Sequence, residues 1–306
     1  MAKSPDKILS DLTAALLNSS DGFSSSLPAV EKQMYARVLE LMADLDKSNG
    51  RLRISAKNIR IIGQIRRELN AIILTPKYRK AVAEFVESFD AIEKLQVGYF
   101  DTIVEGYTPN AVMKALKAET IEAVKANMLD VGIQYNISQR IADTLRQQVT
   151  SGGKYFDLVD NIRETMVGDG QGALQRYANT YANDALYTYS RQYNTIFVED
   201  AGIEWYQWGG ALQDTSREFC KAMVEASRTG GCLEYIHVSQ FDELVNGNVC
   251  GKRVPLNPKT DLPDGFKKGT NAANFLTNLG GWGCKHELMP VSDSIVPEKF
   301  KRKING

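Results

Sequence analysis

Cysteine and histidine are absent from the chain before residue 220, although the protein is 306 residues long. All of them lie in the last part of the sequence: Cys220, Cys232, Cys250 and Cys284, with His237 and His286. Thiolate and imidazole groups bind zinc and other soft metals, and only cysteines form disulfides. A soft-metal site or a disulfide is therefore excluded from the larger N-terminal part and can occur only near the C-terminus.

Excess charge of either sign is also missing, since 37 lysines and arginines balance 37 aspartates and glutamates. The charge of the whole chain therefore does not indicate a polyanionic partner. No apolar run approaches the roughly 18 residues that span a bilayer, which excludes a membrane-spanning helix. The N-terminus lacks the apolar stretch of a secretory signal, so we expect folding in the cytosol, where thiols start reduced.

Phosphate-binding loops of the Gly-x-Gly-x-x-Gly or Walker type are not found either, which argues against the common nucleotide-dependent enzymes. What the sequence does contain is strong helical periodicity from residue 28 onward. Apolar residues recur three and four positions apart, as at Val30, Met34 and Val38. Thr75-Pro76 is a typical helix start, with a capping Thr and Pro at the first helical position.

The composition changes after Gly202. Residues 203–208 are aromatic and typical of a strand, and glycine and proline are frequent from there to the end. We therefore predict an α+β fold, with a mainly helical N-terminal region followed by a small, loop-rich α+β C-terminal domain. The predicted divisions are a flexible N-terminal segment at 1–27, a helical region at 28–130, a helical lead at 131–202, and a Cys/His-containing domain with its tail at 203–306.

Two short segments are the most informative about the function of the protein. The first is Asp-x-x-Arg-x-x-Cys, formed by Asp214, Arg217 and Cys220. The second is Gly-Gly-x-x-Cys-x-His, which ends in Cys284 and His286. The first segment follows a long helix rich in Ala, Asn, Tyr and Arg and then a Trp-containing strand. In this order the elements resemble the Mu protein F-like family, the minor head or head-morphogenesis proteins of tailed phages.

The resemblance covers about residues 130–292 and departs from the family at two places. Many relatives have Cys-x-x-Cys in the first motif, where this chain has Met223. Many relatives end in Cys-Arg-Cys, where this chain continues from Cys284 to Lys285 and His286. A set of three metal-binding side chains is preserved, whereas a four-cysteine metal site is not implied.

The resemblance implies a non-enzymatic, low-copy component of the virion head, located near the portal and present in the host cytoplasm during assembly. The implied partners are the portal protein, other head proteins and, non-specifically, packaged DNA. The implied role is head assembly, or genome packaging and delivery. The alternative from a different class is a metal- or thiol-dependent hydrolase that uses Cys220, Cys284 and His286.

The Cys/His cluster, defined as Cys220, Cys284 and His286, is predicted to hold the C-terminal domain together. Three arrangements are open: a structural zinc ion, a Cys220–Cys284 thiol contact or disulfide, and simple burial of the side chains. For zinc, the fourth ligand would be one of Asp214, Cys232, Cys250 and His237. Asp214 and Arg217 are also predicted to stabilise the turn of the first motif.

A cationic face is the sharpest charge feature of the sequence. Lysines and arginines recur across residues 51–80, where Glu68 is the sole acid. The spacing predicts that four of them share one side of a helix, opposite its isoleucines. These four, Arg53, Lys57, Arg60 and Arg67, define the cationic face. Such a face is expected to bind the phosphates of DNA or an acidic protein, or to be a solvated helix surface.

Overall fold

A computed structural model of the chain describes residues 4–168, 170–210, 212–281 and 283–305. Its α-helices are α1 (Pro5–Ser25), α2 (Leu27–Ala43), α3 (Ala56–Ile73), α4 (Pro76–Asp101), α5 (Ala111–Leu129), α6 (Val131–Ile133), α7 (Arg140–Thr150), α8 (Tyr155–Met166), α9 (Ala173–Ala201), α10 (Glu218–Ala226), α11 (Phe241–Val245), α12 (Phe275–Asn278) and α13 (Glu298–Asn305). A π-helical turn, Gln134–Gln139, joins α6 to α7. The strands are β1 (Lys47–Ser48), β2 (Arg51–Leu52), β3 (Trp205–Gly209), β4 (Ile236–His237), β5 (Asn248–Val249), β6 (Lys252–Arg253), β7 (Leu256–Asn257), β8 (Leu262–Pro263) and β9 (Glu287–Val291).

The predicted α+β class is confirmed, because helices dominate and the strands form small antiparallel sheets. The chain forms two compact units, each assembled from non-contiguous segments. The helical unit comprises Asn18–Ser88 and Ile121–Ala182. The C-terminal unit comprises the described residues of Met1–Leu17, Phe89–Thr120 and Asn183–Gly306. Across the described ranges, no helix is both long and apolar enough to cross a membrane.

Apolar side chains at helical spacing form the core of the helical unit. On α3 the buried apolar residues are Ile61, Ile62, Ile65, Leu69 and Ile73. Burying one such side chain contributes about 1.5–3 kcal/mol. The helix begins at Ala56 because the Ser55 side chain accepts a hydrogen bond from the backbone N–H of Asn58, at 3.2 Å. The predicted amphipathic pattern therefore matches the buried face of this helix.

Helix α1 covers Pro5–Ser25, most of the segment 1–27 that the sequence predicts to be flexible. Within α1, Ile8, Leu12, Leu16 and Phe23 are buried and recur at helical spacing. The serines that suggest a linker are accommodated in the last turns, where the Ser24 hydroxyl donates to the carbonyl of residue 20 at 2.8 Å. Burial of the apolar stripe thus outweighs the weak helix propensity of serine and glycine.

A three-stranded antiparallel sheet in the order β4-β3-β9 organises the C-terminal unit. Strand β3 pairs along its whole length with β9, from Trp205 opposite Val291 to Gly209 opposite Glu287. All five residues of β9 are buried. The sheet therefore places the segment just before β9 beside the end of β3, and this segment carries Cys284 and His286.

Candidate functional site

The two motif segments meet at a buried site in the C-terminal unit. Cys220 lies in the first turn of α10, and Cys284 and His286 immediately precede β9. The two sulfur atoms are 4.0 Å apart, and the Cys284 Sγ is 3.6 Å from the His286 Nδ1. All three ligand atoms lie within 4.8 Å of one another. The structure thus brings these three side chains together.

Gly280 makes the close approach of the two sulfurs possible. A Cβ atom on Gly280 would lie 2.9 Å from the Sγ of Cys220 and 2.9 Å from that of Cys284, which is closer than real Cβ contacts. The Arg217 guanidinium donates to the Gly280 carbonyl at 2.9 Å. Arg217 therefore connects the first motif directly to the second, which extends the predicted turn role of this residue.

Arg191 of α9 holds the backbone that carries Cys284 and His286. Its side chain is 2 % exposed. Its Nε donates to the His286 carbonyl at 3.1 Å, and its terminal nitrogen donates to the carbonyls of Cys284 and His286. This residue is not among those predicted from the sequence. The available signal is that Arg191 lies at helical spacing from buried Tyr187 and Asn194, on a face where an exposed charge is not expected.

Glu287, also not predicted from the sequence, is a second buried ionisable group at the start of β9. Its Oε2 accepts hydrogen bonds from Ser190 at 3.2 Å and from Asn194 at 3.3 Å. Its Oε1 lies 3.9 Å from the Arg191 Nε, which is close enough for charge attraction but too long for a hydrogen bond. Burial raises the pKa of Glu287 to about 8, although the charge of Arg191 opposes that shift.

The two thiols of the cluster are inequivalent. The hydrogen bond between them lowers the pKa of the Cys284 thiol, with Arg191 acting in the same direction against burial. The same hydrogen bond, together with burial, raises the pKa of Cys220. Of the two thiols, Cys284 is therefore the one that loses its proton more readily.

A pocket of about 310 Å³ opens beside the cluster. Its lining includes all three cluster residues together with Gln213, Thr215, Ser216, Arg217, Gly283 and Lys285. The side chains of Cys220, Cys284 and His286 are only 3 %, 5 % and 2 % exposed. The cluster therefore forms the floor of a polar, partly cationic depression rather than a projecting reactive group.

The side chains predicted as alternatives for a fourth zinc ligand do not join the Cys/His cluster. Asp214 is exposed and is not among the side chains that lie within reach of the cluster, because residues 213–216 form a turn closed by mutual hydrogen bonds of Gln213 and Ser216. Cys232 and Cys250 form a disulfide with each other. The predicted Cys220–Cys284 pair is not disulfide-bonded. Of the possible fourth ligands, Asp214 is thus corrected to a solvent-exposed turn residue.

His237, the last of the four predicted alternatives, has its own local partners. Its Nδ1 contacts the Ser239 hydroxyl at 2.8 Å and accepts from the Ser239 backbone N–H at 3.2 Å. Its Nε2 lies 3.6 Å from the Glu204 carboxylate. His237 therefore ends β4 as a capping residue and is not in the cluster.

The cationic face lies in the helical unit and differs from the prediction at one residue. Lys57, Arg60 and Arg67 are exposed on α3, whereas Arg53 precedes that helix because Ser55 caps it. All four side chains are exposed. In the described part of the chain, no carboxylate is within ion-pair distance of any of them, and the nearby acid Glu68 is paired with Arg37 through two hydrogen bonds of 2.9 Å.

Comparison of the chain with protein families, with characterised proteins and with solved structures found no match.

Proposed function

We propose that this protein is a minor head protein of a tailed phage, which binds the portal and acts in head assembly or in genome packaging and delivery. It would act by association, in the virion head near the portal and before that in the host cytoplasm. One observation carries the proposal: Cys220 and Arg217 of the first motif contact Cys284 and Gly280 of the second. These are the segments in which the sequence resembles the Mu protein F-like family.

The order of elements around the contact supports the same proposal. The long helix α9 leads into the Trp-containing strand β3, which is followed by the Asp-x-x-Arg-x-x-Cys turn and α10, and the second motif leads into β9 beside β3. Short motifs arise by chance in unrelated chains, and such chance matches need not meet in space. In this chain the two motifs flank the paired strands β3 and β9 and meet in one buried cluster, as expected of a single module.

Exposed apolar side chains offer contact positions for a partner. On the helical unit, Val131 and Tyr135 are each 68 % exposed, and Phe156 is 76 % exposed. Val131 and Tyr135 are four residues apart, so they lie one helical turn apart on the same side. Large exposed apolar side chains of this kind commonly mark protein interfaces. We assign the portal contact to the surface that includes Val131 and Tyr135.

Co-expression of the chain with a portal protein from the same genome tests this proposal. Size-exclusion chromatography should show both proteins in one peak, and the double change Val131→Ser, Tyr135→Ser should weaken co-elution at least tenfold without unfolding the chain. Val112→Ser, at another exposed apolar residue (60 %) outside both proposed contact surfaces, is the matched control. A compact monomer that never co-elutes with the portal would contradict the assignment.

The cationic face is proposed to bind an anionic partner, either packaged DNA or an acidic head protein. Its side chains have no ion pair within the described residues, so their charge is available to a partner. Changing Arg53, Lys57, Arg60 and Arg67 together to Gln should reduce the affinity of the chain for its anionic partner, DNA or the portal. The dependence of that affinity on salt should fall as well. If the wild-type chain and the variant bind DNA and the portal with equal affinity and equal salt dependence, the cationic face is a solvated helix surface without a binding role.

The hydrolase alternative is favoured by one observation, the 3.6 Å contact of the Cys284 sulfur with the His286 imidazole beside a pocket. The deep burial of both groups argues against it, because a nucleophile must reach its substrate. Cys284→Ser and His286→Ala distinguish the two roles. A hydrolase would lose turnover of a peptide, ester or nucleic acid and keep its fold, whereas a structural cluster would lose stability.

A further inference from the structure

We propose that Cys220, Cys284 and His286 bind one zinc ion, through two thiolates and the His286 Nδ1, with the fourth coordination position facing the adjacent pocket. This inference goes beyond the function proposed above and does not depend on it. It is carried by the geometry and chemistry of the three side chains.

Two of the three distances between the ligand atoms match the edges of a zinc tetrahedron. Zinc–sulfur bonds of about 2.3 Å and zinc–nitrogen bonds of about 2.0 Å, at tetrahedral angles, place two sulfurs about 3.8 Å apart and a sulfur and a nitrogen about 3.5 Å apart. The observed distances are 4.0 Å between the sulfurs and 3.6 Å from the Cys284 Sγ to the His286 Nδ1. These two edges therefore fit the ion with movements of a few tenths of an ångström. The third edge, from the Cys220 Sγ to the His286 ring nitrogen, is at most 4.8 Å, and metal binding would draw these two atoms together.

The donor set selects the metal. Thiolates and imidazole suit zinc, whereas magnesium and calcium prefer oxygen ligands. A disulfide, the main competing arrangement, has sulfurs about 2.0 Å apart, which is half the observed separation. Zinc binding would release the thiol protons, and the charge of the ion would neutralise that of the two thiolates.

The surroundings hold the three ligands in place before any metal binds. Arg191 fixes the carbonyls of Cys284 and His286, and Gly280 leaves the space in which the sulfurs approach. The His286 ring is stacked on Trp208, with ring centres 5.1 Å apart. Such outer contacts orient metal ligands and lower the cost of binding. The cluster thus has the pre-organisation expected of a metal site and not of two incidentally buried thiols.

The fourth position is assigned to water. Among the described residues, no further His, Cys, Asp or Glu joins the group of three. The pocket of about 310 Å³ lies against all three ligands and has room for solvent. Three protein ligands with one solvent position is an arrangement that zinc adopts in proteins.

Metal analysis and zinc-edge X-ray absorption of the reduced, full-length chain, purified without chelators, test the proposal. We expect one zinc per chain, with two sulfurs at about 2.3 Å and two nitrogen or oxygen atoms at about 2.0–2.1 Å. Cys220→Ser and His286→Gln should each lose most of the bound zinc. Asp214→Asn and the paired change Cys232→Ser, Cys250→Ser should retain it, because those residues lie outside the site.

A variant that fails to fold would leave the site undefined, so a second measurement uses the unaltered chain. After zinc is removed with a chelator, the folded protein is titrated with Co²⁺, whose sulfur charge-transfer absorption reports thiolate ligands. A saturable signal at one equivalent supports the site. Absence of zinc together with absence of cobalt uptake would overturn it, as would unchanged zinc content in Cys220→Ser. Portal co-elution measured in parallel shows whether the proposed function stands separately.

Discussion

The two compact units are stabilised in different ways. The helical unit relies mainly on apolar stripes such as the isoleucines of α3, with one buried glutamate, Glu31, that accepts backbone hydrogen bonds. The C-terminal unit also buries an arginine and a cysteine–histidine cluster beside its glutamate. Apolar burial is the more tolerant of detail, because each side chain contributes mainly through the area that it buries. Buried polar groups depend on every partner being present, since an unpaired one costs free energy. The C-terminal unit should therefore be the more sensitive to single substitutions.

Arg191→Met should give the largest effect. The change leaves the carbonyls of Cys284 and His286 without their donor and removes the positive charge beside Glu287, which should lower the free energy of unfolding by about 3–5 kcal/mol. Chemical denaturation of both proteins measures the difference. Arg163→Met is the matched control, because Arg163 is 65 % exposed, and it should change stability by less than about 0.5 kcal/mol. Similar effects from both variants would show that burial of Arg191 is not important.

Ile65→Ala tests how strongly the helical unit depends on one buried apolar side chain. Ile65 is fully buried, so the change should cost about 2–4 kcal/mol through lost burial and a residual cavity. Ile59→Ala, on the same helix at 45 % exposure, is expected to cost less than about 0.5 kcal/mol. Urea unfolding midpoints measure the stability of the two variants. Equal midpoints would contradict the assignment of Ile65 to the buried face of α3.

Gly280→Ala probes the spacing of the two sulfurs with a single methyl group. The added carbon would lie 2.9 Å from both of them, so the cluster must widen at a cost of about 1–3 kcal/mol. Gly98→Ala in α4 meets nothing within 4 Å and should instead stabilise the chain by roughly 0.5–1 kcal/mol. Thermal unfolding of the pair should therefore show shifts of opposite sign, and two stabilised variants would refute the crowding at Gly280.

Glu68→Gln should give the smallest effect, and one that depends on pH. The hydrogen bonds from Arg37 lower the pKa of Glu68 from 4.5 to about 2 in the folded chain. A lowered folded-state pKa contributes stability that is present above about pH 4.5 and is lost as the pH falls towards 2. Melting temperatures of the two proteins should differ slightly at neutral pH and converge at low pH. A difference that grows in acid would contradict the assigned pairing.

Much of the helical architecture follows from local sequence. Helical spacing of apolar residues and the Thr75-Pro76 start predict α3 and α4 closely, because both signals act within a few residues. Capping is equally local: Ser55 caps α3, so Arg53 precedes the helix on which the spacing predicts it. The helical part of the cationic face therefore consists of three side chains.

The C-terminal site could be predicted only in part, since its contacts join residues distant in sequence. Residue type identified Cys220, Cys284 and His286, because few side chains offer sulfur or imidazole. Nothing in the local sequence pairs Cys232 with Cys250, since disulfide connectivity depends on the fold. Asp214 was included for its chemistry alone, and the turn that exposes it is set by Gln213 and Ser216. The disulfide pairing and the exposure of Asp214 therefore depend on long-range packing, which residue spacing does not reveal.

Hydrogen exchange of the wild-type and Cys284→Ser proteins, resolved by peptide, tests the central claim most directly. The claim is that the Cys/His cluster specifically stabilises the C-terminal unit. We predict that amide protection in β3 (Trp205–Gly209) and β9 (Glu287–Val291) falls at least tenfold in the variant, whereas α3 (Ala56–Ile73) keeps its protection. Unchanged protection in both strands, or an equal loss in α3, would contradict the claim.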